Sequence, residues 1–114
     1  NNPPDYYVSI HNKNIILCDY VYMQHKSHKT LQLNKEFGAV INELRVAKNK
    51  GKSRLKFCYE YDLDAGNLSR IENGIIDPKL SMLWRLSEAI DVPLSEIFKI
   101  LEQKLGKNFT LLDK

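Results

Sequence analysis

Three residues, Asp62, Leu63 and Asp64, are all that separate two short stretches whose apolar residues recur at helical spacing. Before them, Ser53 is a good N-cap for "RLKFCYEY", with Phe57, Cys58 and Tyr61 as its inward positions. After them, Asp64 caps a helix over residues 65–73, with Leu68 and Ile71 inward and Gly74 as its left-handed stop. A link this short, with an apolar residue at its centre, makes two short helices meet at a steep angle and share one core. No other feature of the chain restricts its fold so tightly.

The flanking sequence supplies more helices. Phe37, Val40, Ile41 and Leu44 recur at three and four, which predicts a first helix from about Asn34 or Lys35 to Ala47 or Lys48. Asp77 followed by Pro78 reads as the cap and first turn of a fourth helix through "LSMLWRLSEAI", stopped by "DVP". A fifth helix runs from near Leu94 to about Leu105, closed by Gly106. Residues 1–33 differ in character: "YYVSI" and "IILCDYVY" flank "HNKN", a pattern that suits a β-hairpin pairing residues 6–10 with 15–20. The expected organisation is an N-terminal extension (1–33), an all-α five-helix unit (34–105) and a short tail (106–114).

Composition excludes several classes. With 43% hydrophobic and 27% charged residues in 114, the chain reads as an ordinary soluble protein with one core. The longest uncharged apolar run, "IILC", is far short of the roughly 20 residues of a membrane span. No signal peptide is visible, and the two cysteines, Cys18 and Cys58, form no paired metal-type motif, so a reducing cytoplasmic setting is expected. The spacing of Cys18, His25 and His28 matches no standard metal site, with a fourth ligand missing unless His11 supplies it; no metal and no cofactor are expected. Nor is there a phosphate-binding glycine loop, a nucleophile elbow or a carboxylate pair suited to acid–base chemistry, so the chain is not read as an enzyme.

The net charge of +3 says little, but its distribution says more. "KNKGKSRLK" holds Lys48, Lys50, Lys52, Arg54 and Lys56 without an acid, the kind of patch that neutralises phosphates, although such a run is more often a solvated loop. The third helix directs Ala65, Gly66, Asn67, Ser69, Arg70 and Asn73 outward. Arg can donate two bonds to guanine O6 and N7, and Asn can pair with adenine N6 and N7.

Taken together, "SRLKFC", the turn built on Leu63, "NLSRIENG" and "DPKLSMLWRLSEAIDVPLSEIF" resemble the lambda-repressor-like, Cro/repressor-type (XRE) helix-turn-helix family over residues 35–102. The resemblance implies a DNA-binding fold in which the third helix enters the major groove of double-stranded DNA. It implies base-facing roles for Ala65, Gly66, Asn67, Ser69 and Arg70, and a turn at Asn73 and Gly74 with Asn73 reaching phosphate. Arg54 would lie over the sugar-phosphate backbone, with Lys50, Lys52, Ser53 and Lys56 as further phosphate contacts. It also implies an ion pair between Glu72 and Arg45. The chain departs from the pattern at Asp62, where glycine is usual and positive φ is expected; at Ala65 and Gly66, where long base readers are common; and at Ile75 and Ile76, which replace basic residues. The "KNKGK" loop is about two residues longer than usual and carries the cations instead.

Trp84 falls where the family usually leaves the fourth helix exposed, because Leu80, Leu83 and Leu86 account for its inner face. The fifth helix spreads apolar residues over more than one face. A homodimer seam at Trp84, Ile97, Ile100 and Leu101, or docking of residues 1–33 over Trp84, would use that surface. The leading expectation is a sequence-specific transcription regulator, most simply a repressor, dimeric on a near-palindromic operator. A protein-interaction or antitoxin-like module on the same fold is the alternative, followed by a metal- or ligand-sensing switch.

Overall fold

Ser27 starts the first helix, its hydroxyl accepting a hydrogen bond from the Thr30 amide at 3.0 Å. The structure, a computed structural model, describes residues 27–112. These form five helices: α1 (His28–Asn49), α2 (Arg54–Glu60), α3 (Ala65–Glu72), α4 (Leu80–Ile90) and α5 (Leu94–Leu105). The hairpin predicted over residues 6–20, and with it His11, Cys18 and His25, lies outside the described residues.

Two predicted helix starts are corrected, and one bond explains both. Asn34 does not begin α1; it lies inside the helix, 5% exposed, and its amide donates to the Asp77 carboxylate. Asp77 in turn does not cap α4, which starts at Leu80 with Lys79 at the cap position and no side-chain cap bond. Each residue has the chemistry of a cap, but here each satisfies the other across the molecule and ties the segment before α4 to α1.

The long α1 is the spine, packed against α3 and α5 and more lightly against α4. Phe37, Val40 and Ile41 of α1 meet Leu68 and Ile71 of α3, Leu86, Ala89 and Ile90 of α4, and Ile97 and Leu101 of α5 in one cluster. Phe57 and Cys58 from α2 and Leu63 from the turn complete it. A side chain such as Phe57 or Leu68, at 0% exposure, contributes about 1.5–3 kcal/mol through burial.

Close backbone approach sets the position of α3. A Cβ on Gly38 of α1 would run into the carbonyl groups of Ile71 and Glu72, so the two helices cross where α1 has no side chain. Gly74, at φ +72°, ends α3 with its amide donating to the Ile71 carbonyl and that of Ile75 to Arg70, a Schellman closure. Gly74 also abuts α1, since a Cβ there would come within 2.7 Å of the Lys35 Cα.

Three burial expectations need correction. Tyr61 is 39% exposed, its ring 5.0 Å from that of Phe57 and covered by the Lys48 ammonium at 5.6 Å, because α2 ends one residue earlier and Tyr61 turns outward. Leu80 is 71% exposed, because it lies in the first turn of α4, while Met82 and Leu83 pack against the core and Leu86 is the first apolar residue of the helix buried in it. Ile97 and Leu101, assigned to a dimer seam, are 0% and 6% exposed. They are one helical turn apart on the side of α5 that packs into the core, so neither is available to a second chain.

Candidate nucleic-acid interface

The turn between α2 and α3 closes as its length demands. Asp62 takes φ +55°, its carboxylate side chain standing in a conformation glycine adopts more cheaply. Leu63 drops into the core with its amide bonded to the Cys58 carbonyl at 2.9 Å. The Asp64 carboxylate then accepts from the Asn67 amide at 2.7 Å and starts α3. Cys58, 2% exposed, is the compact hydrophobe at this crossing; burial, and then the negative charge of Glu72, push its thiol up, which keeps it protonated and unreactive.

Glu72 is the polar hub behind the α2–α3 unit. It receives the Arg45 Nε at 2.6 Å and Nη2 at 3.0 Å, a two-pronged pair with both side chains almost wholly buried. The sequence points to Arg45 but not to two more donors: Asn42 Nδ2 at 3.0 Å and Arg54 Nε at 3.0 Å. Burial pushes the Glu72 carboxyl up, but the Arg45 and Asn42 hydrogen bonds, the Arg45 charge and the Arg54 bond outweigh it, so the group titrates below its ordinary value. The Arg54 pair also holds the first turn of α2 beside the last turn of α3, with the Arg54 side chain 37% exposed.

On the outer side of α3, Gly66, Asn67, Arg70 and Asn73 are exposed, and Ala65 and Ser69 are half-buried. These side chains are ordered among themselves. Arg70 Nη2 donates to Asn67 Oδ1 at 2.9 Å, and Asn73 Nδ2 donates to the Ser69 carbonyl at 2.8 Å. The basic loop is shorter than the sequence suggests because α1 runs on to Asn49. Lys50, at φ +46°, ends that helix, and the buried Asn49 amide binds the carbonyls of Lys52 and Ser53 at 3.0 and 3.2 Å, fixing the approach to α2. Lys52 pairs with Glu60 at 3.2 Å across an exposed surface, while Ser53 caps α2 through the Lys56 amide at 3.1 Å. Lys50 and Lys56 are exposed and make no ion pair among the described residues.

Elsewhere, Trp84 is 59% exposed beside a shallow hollow at the α4–α5 corner lined by Val92, Pro93 and Leu94, and Ile100 is half-buried. Among the described residues, no group of His, Cys, Asp and Glu side chains could hold a metal ion, and no helix is long and apolar enough to cross a membrane.

Two short helices set by a tight turn, the second carrying a polar outer face, define a helix-turn-helix fold. Residues 41–97 match the family model described as helix-turn-helix. The crystal structure of the restriction-modification controller protein C.AhdI from Aeromonas hydrophila is 30% identical, with a TM-score of 0.50 over 56% of this chain and 94% of that one. No curated protein matches. The chain belongs to the Cro/C1-type helix-turn-helix family of DNA-binding transcription regulators.

Proposed function

We propose that the protein is a sequence-specific regulator, most simply a repressor, that inserts α3 into the major groove of a near-palindromic operator as a homodimer. The observation that carries this reading is the outer face of α3. Asn67 and Arg70, both able to read base edges, are exposed there and already ordered by their mutual hydrogen bond. Ala65, Gly66, Ser69 and Asn73 complete that face. Arg54, Ser53, Lys50, Lys52 and Lys56 take the backbone, since Arg54 is held next to the end of α3 with its side chain 37% exposed. The Lys52–Glu60 pair, exposed on both sides, is worth at most about 1 kcal/mol and yields to a phosphate at little cost. With Ile97 and Leu101 buried in the core, Trp84 and Ile100 are the residues we assign to the dimer surface. A single short helix contacts too few base pairs to select one site, and pairing two is the usual remedy.

Replacing Lys50 and Lys52 together with alanine is expected to weaken specific and non-specific binding alike. The slope of log K against log salt should fall by about 3.6 for the dimer, at roughly 0.9 for each of the two phosphates per protomer no longer neutralised. An unchanged slope would show that these lysines point away from DNA. Binding of a macromolecule that is insensitive to salt would favour the protein-interaction reading, for which the exposed Trp84 is the relevant surface.

A further inference from the structure

The missing side chain at position 66 has a consequence for Arg70. Arg70 lies one turn after Gly66 on the same face of α3, and helical side chains lean toward the N-terminus of their helix. Its guanidinium is folded over the glycine: a Cβ built on Gly66 would stand 3.5 Å from both Nη1 and Nη2. In that seat Nη2 reaches Asn67 Oδ1 at 2.9 Å. The backbone of Asn67 is held from behind, its N–H donating to the carboxylate of Asp64, the residue that caps the helix.

We propose that Gly66 determines specificity through Arg70: the bare backbone at 66 seats the guanidinium along the first turn of α3, so that Arg70 and Asn67 present one joint reading surface to DNA. In this role Gly66 is a positioning residue, acting through Arg70. An arginine donating to Asn67 Oδ1 also turns the Asn67 Nδ2 donors outward, so both side chains present N–H groups to the groove. Acceptors on adjacent bases, guanine O6 and N7 above all, are the matching edge. This inference rests on the DNA-binding reading given above.

The two variants that separate the idea from a structural role are Gly66→Ala and Gly66→Val. A methyl group meets the guanidinium at 3.5 Å, ordinary contact, and leaves it in place, while the Asp64 Oδ2, at 3.3 Å, gives way by a few tenths of an ångström. A β-branched side chain fills two of the three staggered positions about Cβ and takes the seat. Both residues form helix better than glycine, so neither thermal midpoint should fall. Site selection from a random duplex pool is expected to keep the preference at the bases read by Arg70 in Gly66→Ala, whatever the added methyl does to overall affinity. For Gly66→Val the preference at the bases read by Arg70 should be lost, with affinity about 5- to 150-fold weaker for each half-site. Adding Arg70→Ala to Gly66→Val should then cost nothing further, whereas Arg70→Ala alone costs as much as Gly66→Val. If the branched variant melts early, Gly66→Gln, unbranched and a good helix former, replaces it. An unchanged motif in a folded Gly66→Val or Gly66→Gln protein, or additive losses with Arg70→Ala, would overturn the proposal. Failure of the wild type to enrich any motif would instead overturn the DNA-binding reading itself.

Discussion

Glu72→Ala is expected to destabilise the protein by about 3–5 kcal/mol, because it leaves the Arg45 guanidinium buried without its counter-charge. Arg45 has little water to turn to, and Asn42 and Arg54 lose the same acceptor. Such a loss is a large part of the about 5–15 kcal/mol that holds a domain of this size together. A urea titration measures it, and a loss below about 1 kcal/mol would show the pair to be ornamental. The same carboxylate gives the fold an acid dependence of known sign. Its folded-state value lies below the ordinary 4.5, so its stabilisation is fully present above that pH and is lost as pH falls through the depressed value. Unfolding free energy should therefore decline below about pH 4.5 in the wild type, and that component should be absent from Glu72→Gln.

Gly38→Ala is expected to cost about 3 kcal/mol, although the same exchange in most helices gains up to about 1 kcal/mol. The added methyl would press on backbone atoms, coming within 2.8 Å of the Glu72 carbonyl carbon, and backbone cannot swing aside as a side chain can. Relief requires α1 and α3 to separate, which also stretches the Arg45–Glu72 pair. Thermal unfolding should show a midpoint lower by about ten degrees or more, on a scale of about 4–8 °C per kcal/mol. A midpoint at or above the wild-type value would mean that α3 sits less closely on α1 than described.

These two residues also show what a sequence does and does not disclose. The α2–turn–α3 unit is legible because its determinants are local: a cap at Ser53, three turn residues with Leu63 inward, a cap at Asp64 and a glycine at 74. The positive φ at Asp62 follows from the family resemblance and is present. What escapes are bonds between distant positions. Asn34 and Asp77, 43 residues apart, each carry a cap's chemistry, so each reads as a helix start. Arg54 reads only as a phosphate contact because nothing local reveals that Glu72, 18 residues on, takes its Nε. Gly38 looks like a neutral member of a helical run, since close approach of a second helix leaves no mark in its neighbours. Ile97 and Leu101 suit a seam because a wide apolar stripe does not say which of its edges meets the core.

The central claim is that α3 reads DNA, and selection of bound duplexes from a random pool tests it most directly. Enrichment of an inverted repeat is expected, its half-sites about one helical turn, roughly 34–36 Å, apart, with affinity falling steeply between about 50 and 200 mM salt. Recovery of no motif above background, with any residual binding indifferent to salt, would contradict it.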